Sequence, residues 1–295
     1  MDIDIPAGRY VVAVSGGVDS IALLHMLVRL PGVQLTVAHY DHGIRADSLI
    51  DRKLVQLTAK DYGLPFVYHT GRLGARTSEA TARTARYKFL HDVRQATNAG
   101  AIITAHHQDD VLETAILNLL RGTGRRGLNS LKSTDVVLRP LLRMPKKELL
   151  RYAAEQGLVW REDSTNSDVR YLRNYVRHHV LPRFADQDRE VLTGIIDTAA
   201  AHNAAIAGEL GRYLHVQPAT HALDRRQFIM LPHAVAREVM AEWLLLRAGV
   251  ELNRKLLERL VVAAKTGRSG SKVDVDSRYW LKILRDNLAL EPRER

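Results

Sequence analysis

The chain has 295 residues, 43 Lys plus Arg against 33 Asp plus Glu, and a formal net charge of +10. That length fits one large domain or two to three smaller ones, and the basic excess either favours an anionic partner such as nucleic acid or serves solubility. There is no cysteine, which excludes disulfides, thiolate zinc sites, iron–sulfur clusters and cysteine nucleophiles.

The opening "MDIDIPAGRY" lacks the basic start of a signal peptide, and no apolar run approaches the roughly 20 residues that span a bilayer. A cytoplasmic location without a membrane partner is expected. "YVVAVS" reads as a buried strand and "VDSIALLHMLVRL" as a helix. "VQLTVAHYDH" is the next strand with its loop, and "SLIDRKLVQLTAKDYG" is a helix stopped by Gly63. "PFVYHT", "SEATARTARYKFLHDVRQATNAG", "AIITAH" and "QDDVLETAILNLLR" continue the alternation of strand and helix. The fold expected is α/β, a parallel sheet with helices on both faces. Ligands then bind beyond the carboxyl ends of the strands, in the loops after Val14, Ala38 and Ala105.

A basic helical stretch follows, from about Met144 to Pro182, and then an alanine-rich helix near Glu190 to Tyr213. The last part reads as a small α/β unit, with two helices and the strand-like stretches "KVDVD" and "YWLKILRDNLALE". The domain boundaries expected are 1–184 for a catalytic domain, 185–214 for a helical linker and 215–295 for a small C-terminal domain.

The turn "SGGVDS" sits between a buried strand and a helix N-terminus, where backbone N–H groups and the helix dipole favour an anion. Gly16 and Gly17 let the backbone approach a phosphate, and Ser15 and Ser20 offer hydroxyls. Asp19 would repel a bare phosphate, so it either holds a magnesium ion or caps the helix. A plain strand–helix turn is the alternative. The phosphate loop of kinases and GTPases, G-x-x-x-x-G-K-[ST], is absent.

"SGGVDS" resembles the signature of the PP-loop family, the N-type ATP pyrophosphatases. Four further runs are similar to those of its tRNA(Ile)-lysidine synthases: "AHYDHGIRADS"; "SEATARTARYKFL", with Glu79, Arg83, Arg86 and Tyr87; "AHHQDDVLETAILNLLRGTGRRGL"; and "REDSTNSDVRYLRNYVRHHVLP". They span residues 11–182 in the family's order. One conservative departure is Ile44, where Leu is common. The resemblance implies ATP and Mg2+ as cofactors, with Ser15, Gly16, Gly17, Val18, Asp19, Ser20, His39 and Arg86 around the nucleotide and Asp19 as the magnesium handle. It implies L-lysine and an isoleucine tRNA with a CAU anticodon as substrates, a C-terminal domain that binds tRNA, and Arg83 and Arg121 at the substrates. The reaction it implies is ligation of lysine to C2 of the wobble cytidine through an adenylated cytidine, giving lysidine, AMP and pyrophosphate. Another amidating PP-loop synthetase, or an RNA-binding protein with a vestigial nucleotide site, are the rival readings.

"DDVLE" places Asp109, Asp110 and Glu113 in one helical turn at the carboxyl end of a strand. Asp110 and Glu113 are the candidates for binding the lysine amine, and Asp109 for the shared electrostatics. A solvated acidic first turn is the alternative. His39, His42, His106 and His107 either line the nucleotide pocket, contact RNA or hold a metal. "GTGRRG" follows a helix and not a strand, so it is no dinucleotide fingerprint. It reads as a basic loop toward phosphates, with Arg121, Arg125 and Arg126, or as a solvated one. Arg83 either pairs with Glu79 or faces the pocket with Arg86. The arginines of "RYLRNYVRHHVLPR" are either a surface face or tRNA contacts, and "KTGRSGSK" is a candidate basic loop against the tRNA stem.

Overall fold

The computed structural model describes residues 3–43, 48–71, 79–123, 125–161, 172–216, 222–250 and 253–293. The chain divides into two compact units, Met1–Ile196 and Asp197–Arg295. Parts of "HGIRADS" and most of "REDSTNSDVRY" lie outside the described residues, as do Gly124 and the side chain of Glu79.

The first unit runs β1 (Gly8–Ala13), α1 (Val18–Leu27), β2 (Val33–Asp41), α2 (Ser48–Asp61), β3 (Phe66–Thr70), α3 (Glu79–Ala96), β4 (Ala101–Ile103), α4 (Gln108–Leu120), α5 (Arg125–Leu128), β5 (Val137–Leu138) and α6 (Lys146–Glu155). After these come α7 (Leu172–Tyr175), a π turn (Val176–Val180), a 3-10 turn (Leu181–Arg183) and the start of α8 (Asp186–Val216). The sheet order is β3-β2-β1-β4-β5, and every pair is parallel. Parallel neighbours need crossovers, usually helical.

Side chains alternate across β1. Tyr10, Val12 and Val14 pack against Ile21, Leu24 and Leu27 of α1, Val55 and Ala59 of α2, and Leu149 of α6. Val11 faces the other way, against Leu90 and Val93 of α3. Both faces are therefore covered, which is why these strands read as unbroken apolar runs. The chain works outward from β1 through β2 to β3, then returns to β4 on the other side of β1. Open α/β sheets take their ligands at such a switch, which here is flanked by the loops after β1 and β4.

β5 carries no legible sequence pattern; it is two residues long and held by Ile102↔Val137 and Ile103↔Leu138. Within "GTGRRG", Thr123 and Gly127 lie close together: a Cβ at Gly127 would collide with Thr123, whose hydroxyl donates to Asn118 O of α4 at 2.9 Å.

The second unit adds β6 (Ala222–Asp224), α9 (Arg225–Met230), α10 (His233–Ala248), α11 (Arg254–Thr266), β7 (Lys272–Asp274), β8 (Tyr279–Ile283) and β9 (Asn287–Pro292). Its antiparallel sheet, ordered β6-β9-β8-β7, shares a core with Phe228, Trp243, Leu244 and Leu260. "YWLKILRDNLALE" is a hairpin, turned where Leu284 N donates to Asn287 O at 2.8 Å. The buried Arg225 guanidinium donates to Ala264 O at 2.9 Å, Leu284 O at 3.0 Å and Gly267 O at 2.6 Å, tying the end of α11 to that hairpin. In "KTGRSGSK", Gly270 sits at φ 93° and its N–H donates to Ile283 O at 2.7 Å. Among the described residues no helix is long and apolar enough to cross a membrane.

Candidate active site

The loop between β1 and α1 is pinned from inside. The Ser20 hydroxyl accepts from Ser15 N at 3.2 Å and Gly16 N at 3.3 Å, and donates to Gly17 O at 2.9 Å. Gly16 has φ 99°, a conformation that side chains resist. Gly17 has φ −73° and only ordinary contacts around a would-be Cβ, so the fold itself leaves its space open. Val18 buries its side chain and presents backbone alone. The N–H groups of Val18 and Asp19 lie in the first turn of α1, where no intrahelical acceptor exists.

Three residues outside the signature brace this loop. His39 is buried, and its Nδ1 lies 2.9 Å from Val14 O; burial lowers its pKa. His39 thus supports the strand end that carries the loop. Arg161 N donates to Gly16 O at 3.0 Å, while its Nε donates to the Asp51 carboxylate at 2.7 Å.

Asp19 does not face solvent unpaired. Lys146 Nζ, from the first turn of α6, donates to both of its oxygens at 2.6 and 2.7 Å. His107 Nε2 lies 3.6 Å from Asp19 and 3.5 Å from Asp110, and so links the β1 loop to α4.

The α4 carboxylates each meet a cation from farther along the chain. Asp109 pairs with Arg189 at 2.9 Å. Asp110 accepts from His107 N at 3.0 Å and Arg177 Nη2 at 3.2 Å. Glu113, only 2% exposed, lies 2.7 Å from Arg173 and 2.8 Å from Arg177. Burial drives the Glu113 carboxyl up to about 7, against the pull of Arg177 and Arg173. Burial also pushes Asp110 upward, but the His107 imidazole and N–H together with Arg177 outweigh it and hold Asp110 below the usual carboxylate range. Two neighbouring carboxyls are thereby split, one ionised and one poised near neutrality, the arrangement that acid–base chemistry uses.

Arg83 and Arg86 gather beside Tyr87, with Arg139 from the end of β5. His106 is hydrogen-bonded to the Thr104 hydroxyl at 2.8 Å, and burial together with these arginines lowers its pKa to about 3. Arg121 does not join them. It is exposed at the far end of α4, about 20 Å along the helix from Gln108 at 1.5 Å per residue. The four histidines have separate partners, and among the described residues no group of three or more His, Asp or Glu could hold a metal.

Sequence reasoning missed Lys146, Asp51, Arg161 and Arg189. It left Arg173 and Arg177 between a surface face and an RNA contact, whereas both pair with Glu113. A usable signal existed, since Arg173 and Arg177 are four apart and face carboxylates three apart on α4.

The PP-loop domain family matches residues 3–184, including the pinned loop, Asp19 and α4. The chain belongs to the PP-loop family. It is 37% identical over 211 residues to a tRNA(Ile)-lysidine synthase of Solibacter usitatus, covering 69% of this chain and 48% of that protein. It is 42% identical over 184 residues to the one of Thermus thermophilus, covering 60% and 36%. The match to that of Methylococcus capsulatus is 35% identical over 274 residues, covering 86% and 62%. The chain thus spans less than two thirds of the length of these relatives. Among solved structures it resembles a U34-tRNA thiolase of Methanococcus maripaludis, with a TM-score of 0.55 and 16% identity, over 67% of this chain and 73% of that one. That likeness concerns the PP-loop fold.

Proposed function

We propose that the chain carries out ATP-dependent ligation of L-lysine to C2 of the wobble cytidine in an isoleucine tRNA with a CAU anticodon. The observation that carries this reading is the His107 bridge. It joins the phosphate-type loop, through Asp19, to a carboxylate pair suited to an amine, through Asp110, at one edge of one sheet. The likeness to proteins named tRNA(Ile)-lysidine synthase supports lysine as the amine and an isoleucine tRNA as the RNA.

The chemistry has two steps. The cytosine O2 attacks the α-phosphorus of ATP, and pyrophosphate leaves. The lysine ε-amine then attacks C2, the C2–O bond breaks, AMP departs with that oxygen and the amine nitrogen gives up a proton. The N–H groups of Val18 and Asp19, the open space at Gly17 and the dipole of α1 suit the triphosphate. Asp19 fits a magnesium ion. Its two oxygens already answer to the Lys146 ammonium, and magnesium commonly takes one or two carboxylates with the remaining sites filled by phosphate and water. When bound, the ion would neutralise charge on the phosphates.

A lysine amine with a pKa near 10.4 is neutral in roughly one molecule in 2,500 at pH 7. Asp110, held ionised, attracts the ammonium. Glu113, poised near 7, accepts the proton released on attack. Ser15, Gly16 and Ser20 shape the loop, His39 supports it, and Asp109 anchors the start of α4 by accepting from Lys146 N at 3.3 Å. The second unit is the tRNA-binding part in this reading, and the protein works in the cytoplasm.

The test is incubation of the chain with ATP, Mg2+, labelled lysine and an isoleucine tRNA transcript with a CAU anticodon. The reading predicts one AMP per lysine fixed in RNA. Absence of lysine transfer, or AMP formation that needs ammonia and no RNA, contradicts it.

A further inference from the structure

The acidic side chains around the site are matched one by one. Asp19 has Lys146, Asp51 has Arg161, Asp109 has Arg189, and Asp110 and Glu113 share Arg173 and Arg177. Arg83, Arg86 and Arg139 stand outside this pairing. Arg83 Nη2 and Arg139 Nη2 both donate to the Tyr87 hydroxyl, at 3.4 and 3.3 Å. The Arg83 and Arg86 guanidiniums lie 4.8 and 5.5 Å from the Tyr87 ring. Arg139 otherwise donates to Lys132 O. No carboxylate among the described residues pairs with any of the three, and Arg86 Nε and Arg139 Nε are shielded from water without an acceptor.

Three guanidiniums so close repel one another, and a buried donor left without an acceptor loses its hydration and gains nothing in return. Clustering of this kind is stable where an anion completes it. The neighbouring His106, hydrogen-bonded to Thr104 and low in pKa, adds no positive charge at neutral pH and leaves the arginines as the field of the site.

Position narrows the choice of anion. Thr104 and His106 follow β4, Arg139 follows β5, and α3 begins at the same carboxyl edge, since it runs back along the sheet to the start of β4. In the order β1-β4-β5, the end of β5 lies two strands, or about 10 Å, from the end of β1. The triphosphate has its own donors on the β1 loop. A second anion on the far side of the switch suits a polyanion that crosses the crevice.

We infer that Arg83, Arg86 and Arg139 form a phosphodiester site for the RNA strand next to the nucleotide being modified. The inference rests on the proposed reaction with tRNA. The strand enters over Tyr87, and its phosphate takes the donors that the protein leaves unfilled. The α4 carboxylates then meet the base from the neighbouring strand end.

The test uses the full chain with Arg139→Gln, Arg83→Gln and the charge-keeping Arg139→Lys. Binding of the tRNA transcript is measured against salt, and binding of a non-hydrolysable ATP analogue and of L-lysine is measured separately. Each glutamine variant is expected to lower the slope of log K against log salt by about 0.7 to 0.9, to leave ATP-analogue and lysine affinity within twofold, and to melt normally. Arg139→Lys is expected to keep the slope. An unchanged slope in both glutamine variants overturns the inference. Loss of ATP-analogue affinity assigns the cluster to the nucleotide and overturns it, and selective loss of lysine affinity assigns it to the amino-acid carboxylate and overturns it equally. If Arg139→Gln misfolds, Arg83→Gln and Arg139→Lys decide. Wild-type chain that binds tRNA with the expected slope but transfers no lysine defeats the proposed reaction while leaving the site standing.

Discussion

Lys146 Nζ holds both carboxylate oxygens of Asp19, at 2.6 and 2.7 Å, across 127 positions of sequence. A bound divalent ion must compete with this ammonium for Asp19. Lys146→Met is therefore predicted to tighten Mn2+ binding, read by electron paramagnetic resonance. Stability changes by less than about 1 kcal/mol, because both side chains keep some water contact. Equal Mn2+ affinity in the variant and the wild type contradicts the competition.

Asp19→Ala is predicted to abolish AMP formation while tRNA binding stays within twofold. The measurement is AMP release beside filter binding of the transcript. A parallel loss of both signals a folding defect and removes support for Asp19 as the ion handle.

The two loop glycines differ. Gly16→Ala places a side chain at φ 99° and is predicted to cost about 1–3 kcal/mol of stability. Gly17→Ala, at φ −73°, is predicted to melt like the wild type yet to bind an ATP analogue at least tenfold more weakly, because the phosphate needs that space. Normal ATP binding by Gly17→Ala contradicts the placement of the triphosphate.

Glu113 gives a pH signature. Its folded carboxyl sits near 7 against a reference of 4.5, so the folded state holds its proton more tightly than the unfolded one. The contribution to stability is fully present below about pH 4.5 and is lost as pH rises through about 7. Between those limits the wild type loses stability relative to Glu113→Gln by up to about 1.4 kcal/mol per pH unit. Urea melts at several pH values check this, and parallel pH profiles of the two proteins contradict it.

Arg177 serves Asp110 and Glu113 together. Arg177→Met is predicted to destabilise by roughly 2 kcal/mol, below the 3–5 kcal/mol of a fully buried broken pair because the guanidinium keeps water contact. Combined with Glu113→Gln, the loss is predicted to be less than additive. Denaturant midpoints of the single and double variants test this, and strict additivity refutes a shared cluster.

The strands of the first unit were legible because "VVAV" and "AII" are buried on both faces and leave unbroken apolar runs. The loop and α4 were legible because their chemistry is local: glycines, serines and carboxylates lie within a few positions of one another. The cations were not. Lys146, Arg161, Arg173, Arg177 and Arg189 reach their carboxylates across 60 to 127 residues, and such pairings carry no periodic signal. β5 was hidden for the same reason, since two residues borrow their strand character from β4. Taken alone, the acidic turn of α4 looks open to an amine, whereas the fold gives each carboxylate a partner; burial raises both Asp110 and Glu113, and the His107 imidazole and N–H at Asp110 set the two apart.

The proposed function divides the labour, with adenylation at the β1 loop and lysine transfer at Glu113. Single-turnover reaction of Glu113→Gln with α-labelled ATP, isoleucine tRNA and lysine tests it directly. Pyrophosphate release at near wild-type extent is expected, with labelled adenylate accumulating on the RNA and little lysidine formed. Loss of pyrophosphate release in this variant, or lysine transfer at the wild-type rate, would contradict it.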